Sequence, residues 1–218
     1  MPFLSKACQA TISRVRQSRK RLAKPEVLTP EEFRTFLGEL VEPYKTMVLI
    51  IACLGLRVSE LLGLQWKDID FDKLTVTIQR SCSEGEICYT KNPVSEEILP
   101  LDPDLAEVLL RHKTQAVYSA ESDFVFTGAT GKPPWPDGIL TDHLKPAAVK
   151  ADISKKIGWH TFRRSYATLM HDSGTTLAVQ KELLRRADIR TTMNIYTQAV
   201  ASTKRDASHK VVDALWRM

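Results

Sequence analysis

Several features are scarce in this 218-residue sequence, and each shortage closes off a class of protein. No apolar run approaches the roughly 20 residues that a bilayer-crossing helix needs. The longest, Met47 to Leu56, reads instead as a buried helix. No apolar stretch follows the basic residues of the N-terminus, so nothing there reads as a secretory signal. Only four cysteines occur, Cys8, Cys53, Cys82 and Cys88, with no C-x-x-C pair, and no two histidines sit at zinc-finger spacing. The expectation is no structural metal and no disulfide framework. Cys53 reads as a small core residue, and Cys82 and Cys88 as a reduced pair across a hairpin. There is no internal repeat and no low-complexity segment. What is present is an ordinary soluble globular composition, 43% hydrophobic and 26% charged, enough for one domain or one domain with a tail.

The net charge of +5 is unevenly spread. Lys6, Arg14, Arg16, Arg19, Lys20, Arg21 and Lys24 lie within residues 1–25, which contain no acid. The rest of the chain is close to neutral. A basic arm on a near-neutral domain fits a polyanionic partner, although a solvated terminus has the same composition.

Helix signals dominate after Pro25. Thr29, Pro30 and Glu32 stand at the N-cap, N1 and N3 positions of a first helix, with Phe33, Phe36, Leu37 and Leu40 on one face. A second helix runs from Pro43 to Leu54 and stops at Gly55. A third, short one spans Ser59 to Leu62. The β-rich stretch follows: Leu74 to Arg80, a turn at residues 83–86, a return strand from Ile87 to Lys91, and a third strand from Glu97 to Leu101. Helices are expected at about 103–117, 137–150, 160–172, 176–186, 188–195 and 203–216, with a Gly/Pro-rich loop between Gly128 and Pro136. The fold class is α+β, mostly helical with a small antiparallel β-sheet. The domain division is a basic arm or linker at 1–25 and one domain at 26–218.

Four segments carry chemistry. They are Gly55-Leu56-Arg57-Val58-Ser59-Glu60-Leu61, Tyr89-Thr90-Lys91-Asn92, His160-Thr161-Phe162-Arg163, and Leu183-Leu184-Arg185-Arg186 with Thr191-Thr192-Met193-Asn194-Ile195-Tyr196. Singly, each has a bland reading: Arg57 pairs with Glu60 one turn on, Lys91 is an edge charge, Tyr196 is a packing residue. Together, Arg57, Lys91, His160 and Arg163 offer donors able to surround a phosphodiester, and Tyr196 offers a hydroxyl for covalent attack.

In order and spelling these boxes resemble those of the tyrosine recombinase (phage integrase) family over residues 26 to 200. The resemblance implies that Arg57 and Arg163 clamp the scissile phosphate. Tyr196 would then form a 3′-phosphotyrosyl bond, with His160 assisting or holding the phosphate and Lys91 protonating the departing 5′ oxygen. Glu60 supports Arg57. It also implies no cofactor and no metal, double-stranded DNA as substrate, a homo-tetramer on DNA, accessory DNA-bending proteins, no membrane, and a cytoplasmic, nucleoid-associated bacterial setting.

Two departures stand out. Arg186 occupies the position where the family carries His or Trp, and Arg185 replaces a helix-ending glycine. Arg186 can still donate to phosphate but cannot act as a base near neutral pH. Residues 1–25 are too few for the helical clamp domain that precedes the family's catalytic part, so the chain reads as that part alone. The stripe Val211, Val212, Leu215 and Trp216 packs on its own domain or docks on a neighbouring subunit. Beside a recombinase acting in integration or excision stand two alternatives: a catalytically impaired DNA-binding remnant, and a type IB topoisomerase-like enzyme that only relaxes DNA.

Overall fold

Thr29 starts the first helix through the reciprocal bonds that its spacing to Glu32 predicts. The Glu32 amide donates to Thr29 Oγ1 (3.2 Å) and the Thr29 amide to Glu32 Oε2 (2.8 Å). The computed structural model describes residues 26–83, 85–89 and 97–185. Helix α1 (Pro30–Gly38) buries Phe36, and Leu40 just beyond it completes the apolar face.

Helix α2 (Tyr44–Leu54) is the middle of the molecule. It buries Met47, Val48, Ile50, Ile51 and Leu54, and a helix this apolar belongs where most of its surface has a neighbour. It packs on α1, on α3 (Val58–Gly63), on α4 (Pro103–Gln115) and on α7 (Trp159–Asp172). Cys53 departs from the core placement expected of it. It lies on the exposed side of α2, at the edge of a groove shared with Leu105 and Tyr166. Partial burial there pushes the thiol pKa up, and Asp102 adds to the shift.

The strands sort into two small antiparallel sheets rather than one. In the first, β1 (Ile69–Asp70), β2 (Thr75–Ile78) and β5 (Glu97–Pro100) lie in the order β1-β2-β5, pairing Val76 with Ile69 and Leu99. All three residues are buried. The second is the hairpin of β3 (Arg80–Ser83) and β4 (Glu86–Tyr89). The predicted single strand Leu74 to Arg80 breaks at Gln79, whose side chain donates to Asp68 Oδ1 at 2.5 Å. The hairpin register also separates the two cysteines. Cys88 lies opposite Ser81 and Cys82 opposite Ile87, so period-2 alternation puts the thiols on opposite faces.

Helix α4 is capped by Asp102, which accepts the Asp104 amide at 2.9 Å. The helix expected at 137–150 is three pieces: α5 (Pro136–Ile139), a wide π turn over Leu140–Leu144, and α6 (Lys145–Lys150). Pro146 accounts for the widening, since it has no N–H for an intrahelical bond and its ring crowds the carbonyl four residues back. Helix α7 inserts Phe162 into the core, stacked on Phe36 at 5.6 Å. Ser165 on the same helix accepts the Leu28 amide at 2.8 Å, which pins the segment leading into α1. Helix α8 (Leu177–Leu183) starts at Thr176, which caps the Val179 amide.

The architecture is α+β with helices dominant, as the element order implied. Among the described residues no helix is long and apolar enough to cross a membrane. The basic arm and the helices expected at 188–195 and 203–216 lie outside the described residues.

Candidate active site

Gly55 sets the geometry of the site. Helix α2 ends there in the left-handed region (φ +61°), and a Cβ at this position would stand 2.5 Å from a ring carbon of Tyr166. Only glycine fits both demands. The turn buries Leu56 and delivers Arg57 as the residue that opens α3. A second glycine, Gly63, ends α3 against β3, where a Cβ would lie 2.9 Å from the Arg80 carbonyl oxygen.

Glu60 is the hub. One turn into α3, it accepts the Arg57 amide at Oε2 (2.8 Å) and the Arg57 guanidinium at Oε1. Oε2 also takes Arg185 Nη2 at 2.6 Å and stands 3.8 Å from Arg163 Nη1. Three arginines from distant parts of the chain therefore surround one carboxylate whose side chain is 9% exposed. Burial alone would push that carboxyl pKa up. The Arg185 charge, the Arg57 amide and the Arg57 charge override it, and Glu60 titrates below its ordinary value.

Arg163 comes from the first turns of α7 and is buried. Its Nη1 donates to the Gly55 carbonyl and its Nη2 to the Leu184 carbonyl, the residue that caps α8. Arg163 thus joins the ends of α2 and α8 and fixes where both point. Arg57 is more open, with a side chain 45% exposed, and its Nη2 donates to the Arg185 carbonyl at 3.3 Å.

Beside this cluster lies a cavity of about 320 Å³ whose walls include Arg57, Glu60, Arg80, Tyr89, Glu97 and Arg185. Arg80 is held by a buried ion pair to Asp68 (2.5 Å), with the Tyr89 ring 5.8 Å from its guanidinium carbon. Glu97 at the start of β5 stands 3.2 Å from Arg185 Nε. Partial burial raises the Glu97 pKa, against the pull of Arg185. With Arg80 matched by Asp68, the arginines Arg57, Arg163 and Arg185 face two carboxylates. Among the described residues the site keeps a positive surplus, suited to one singly charged phosphodiester.

Of the residues the sequence singled out, Arg57, Glu60 and Arg163 meet here. His160 is the second residue of α7, one turn before Arg163, and exposed. Lys91, Arg186 and Tyr196 lie outside the described residues. Sequence reasoning missed Arg80 and Glu97 as walls of the cavity. It also read Arg185 only as the replacement of a helix-ending glycine, with no place assigned to its side chain. The Arg185 side chain is 3% exposed and turned inward onto Glu60. Its φ of +50° shows why a glycine belongs at this helix end: an L side chain there costs about 1–2 kcal/mol.

The phage integrase family profile matches residues 26–202. A tyrosine recombinase XerC-like protein of Caldanaerobacter subterraneus is 27% identical, over 87% of this chain and 56% of its own length. XerD of Halalkalibacterium halodurans is 31% identical, over 86% of this chain and 61% of its own. The chain therefore spans roughly half to two thirds of the curated relatives it matches. Among solved structures, the Tn1549 transposon integrase in complex with transposon right end DNA superimposes with a TM-score of 0.73 at 19% identity, over 89% of this chain and 67% of that one. The catalytic domain of bacteriophage HP1 integrase gives 0.54 at 17% identity, over 82% and 93%. With the family profile covering most of its length and its arginines gathered around Glu60, this chain belongs to the phage integrase family.

Proposed function

We propose that this chain is the catalytic part of a site-specific DNA recombinase that cuts and rejoins double-stranded DNA through Tyr196, in integration or excision of a mobile element. The observation that carries the proposal is the meeting of Arg57 and Arg163, from boxes far apart in sequence, at Glu60 beside an open cavity. Guanidinium groups match the non-bridging oxygens of a phosphodiester and stabilise the charge that builds on them during displacement.

In this reading Tyr196 Oη attacks phosphorus. A P–O bond to tyrosine forms and the bond to the 5′ oxygen breaks, leaving a 3′-phosphotyrosyl link. The tyrosine proton must leave, since a phenol with a pKa of about 10 is neutral near pH 7. His160 assists there or holds the phosphate, and Arg186 donates to the phosphate. Lys91 supplies a proton to the departing 5′ oxygen. Attack by an incoming 5′ hydroxyl runs the same steps backward, so the linkage energy is conserved and no nucleotide cofactor enters the balance. Glu60 orients Arg57. Assembly as a tetramer on DNA, help from DNA-bending proteins and a bacterial cytoplasmic, nucleoid-associated setting belong to the same proposal.

Arginine in place of His or Trp at residue 186 supports a second reading, a DNA-binding remnant that no longer cleaves. Incubation of the protein with supercoiled plasmid in EDTA, stopped with detergent, separates the two. The recombinase reading predicts DNA-linked protein from the parent and none from Tyr196→Phe. Plasmid bound but never covalently linked, including after fusion to a relative's clamp domain, supports the remnant.

A further inference from the structure

We propose that Arg185 is a positioning residue of the strand-cleaving site, holding Glu60 against Arg57 and tying β5, the strand that follows Lys91 in the chain, to both. This inference rests on the recombinase reading for its consequence in catalysis, but its structural core does not.

The guanidinium of Arg185 is directed wholly into the protein. Nη1 donates to the Leu183 carbonyl at 2.9 Å, and Nη2 to the Gly55 carbonyl at 3.2 Å and to Glu60 Oε2 at 2.6 Å. Nε stands 3.2 Å from Glu97 Oε2. One side chain therefore joins the end of α8, the end of α2, the first turn of α3 and the start of β5. The Arg185 carbonyl meanwhile accepts from Arg57 Nη2. With its Nη donors so directed and Nε buried without a hydrogen-bond partner among the described residues, Arg185 is poorly placed to bind phosphate itself. It acts through Glu60, and through Glu60 on Arg57.

The backbone supports the same conclusion. At φ +50°, glycine would satisfy this helix end with less strain. What arginine adds is the side chain. Without it, Glu60 keeps Arg57 as its close ion-pair partner, with Arg163 at 3.8 Å, and β5 loses its ionic tie to α3. Among the described residues, the charged groups facing Glu60 are then Arg57 from the α2–α3 turn, Arg163 from α7 and Glu97 from β5, which lowers the pressure on Glu60 to stay ionised.

The test uses the full chain with Arg185→Gly, which relieves the backbone, and Arg185→Lys, which keeps a charge but not the fork. The Glu60 carboxyl is titrated by carbon NMR, Arg57 Nε–H order is measured by nitrogen relaxation, and covalent capture of plasmid DNA is timed at saturating DNA. In Arg185→Gly the Glu60 midpoint is expected to rise by about 1 unit or more, and Arg57 Nε–H to lose order. Capture is expected to slow by about tenfold or more with DNA affinity held within about threefold, the deficit growing as pH falls. Arg185→Lys should recover part of each change. An unmoved Glu60 midpoint with unchanged Arg57 order overturns the proposal, whatever happens to capture. A moved midpoint with capture at the parent rate overturns the catalytic consequence. If the parent itself captures no DNA, the recombinase reading fails, and the Glu60 and Arg57 measurements still decide whether Arg185 positions them.

Discussion

Glu60 and Arg185 stand 125 residues apart in the chain and 2.6 Å apart in space, Oε2 to Nη2. The pair joins the first chemistry-bearing box to the last described one, and it governs how the site responds to acid. The Glu60 carboxyl is held below its ordinary value of 4.5 in the folded protein. A depressed carboxyl contributes stability that is complete above the unfolded value and is lost as pH falls through the folded one. Denaturant unfolding should therefore show stability falling as pH drops below about 4.5, and Glu60→Gln should flatten that limb. At neutral pH the same substitution removes the main counter-charge of three clustered arginines. A loss of about 3–5 kcal/mol is expected, the usual result of breaking a buried charge network from one side.

Gly55→Ala should be costly without touching any charged group. The left-handed backbone costs about 1–2 kcal/mol with a side chain, and the new methyl meets the Tyr166 ring at 2.5 Å. At about 2–4 °C per kcal/mol for a chain of this size, thermal melting should fall by roughly 5 °C or more.

The α2–α3 turn was the most legible part of the molecule. Gly-Leu-Arg-Val-Ser-Glu spells a left-handed stop, a buried anchor and a helix start in consecutive residues, and each is where the spelling puts it. The capping box at Thr29 was equally plain, because both partners sit within one turn. What stayed hidden depends on contacts between distant segments. Arg80 joins the site because β3 packs on α3 across Gly63, and nothing near Arg80 in sequence announces its pairing with Asp68. Gln79 splits the expected strand through a tertiary bond, which no alternation pattern records. Arg185 carried one signal, an arginine where a helix-ending glycine is usual, but the signal does not say that the side chain folds inward. Cys53 shows the opposite failure: an apolar run implies burial, yet α2 leaves Cys53 on the part of its circumference that faces the surface.

Arg57→Ala separates function from stability. The side chain is 45% exposed, and Glu60 keeps Arg185 at 2.6 Å after its loss. The melting temperature should move by only a few degrees. Covalent capture of DNA should slow by about 10²–10³, the typical cost of removing one donor aimed at developing charge.

DNA binding by this chain should be dominated by phosphate contacts, given its +5 net charge and basic first 25 residues. Affinity for a labelled duplex, followed by its anisotropy, should fall by about tenfold or more between 50 and 200 mM salt. Affinity independent of salt over that range would contradict an electrostatic interface.

The most direct measurement is the chemical identity of the protein–DNA link. Captured DNA is digested to a short remnant, the protein is cleaved with protease, and the modified peptide is sequenced by mass spectrometry. The expected product is a nucleotide joined through its 3′ phosphate to Tyr196, with the 5′ end of the nick carrying a free hydroxyl. A link to any other residue, or one through a 5′ phosphate, would contradict it.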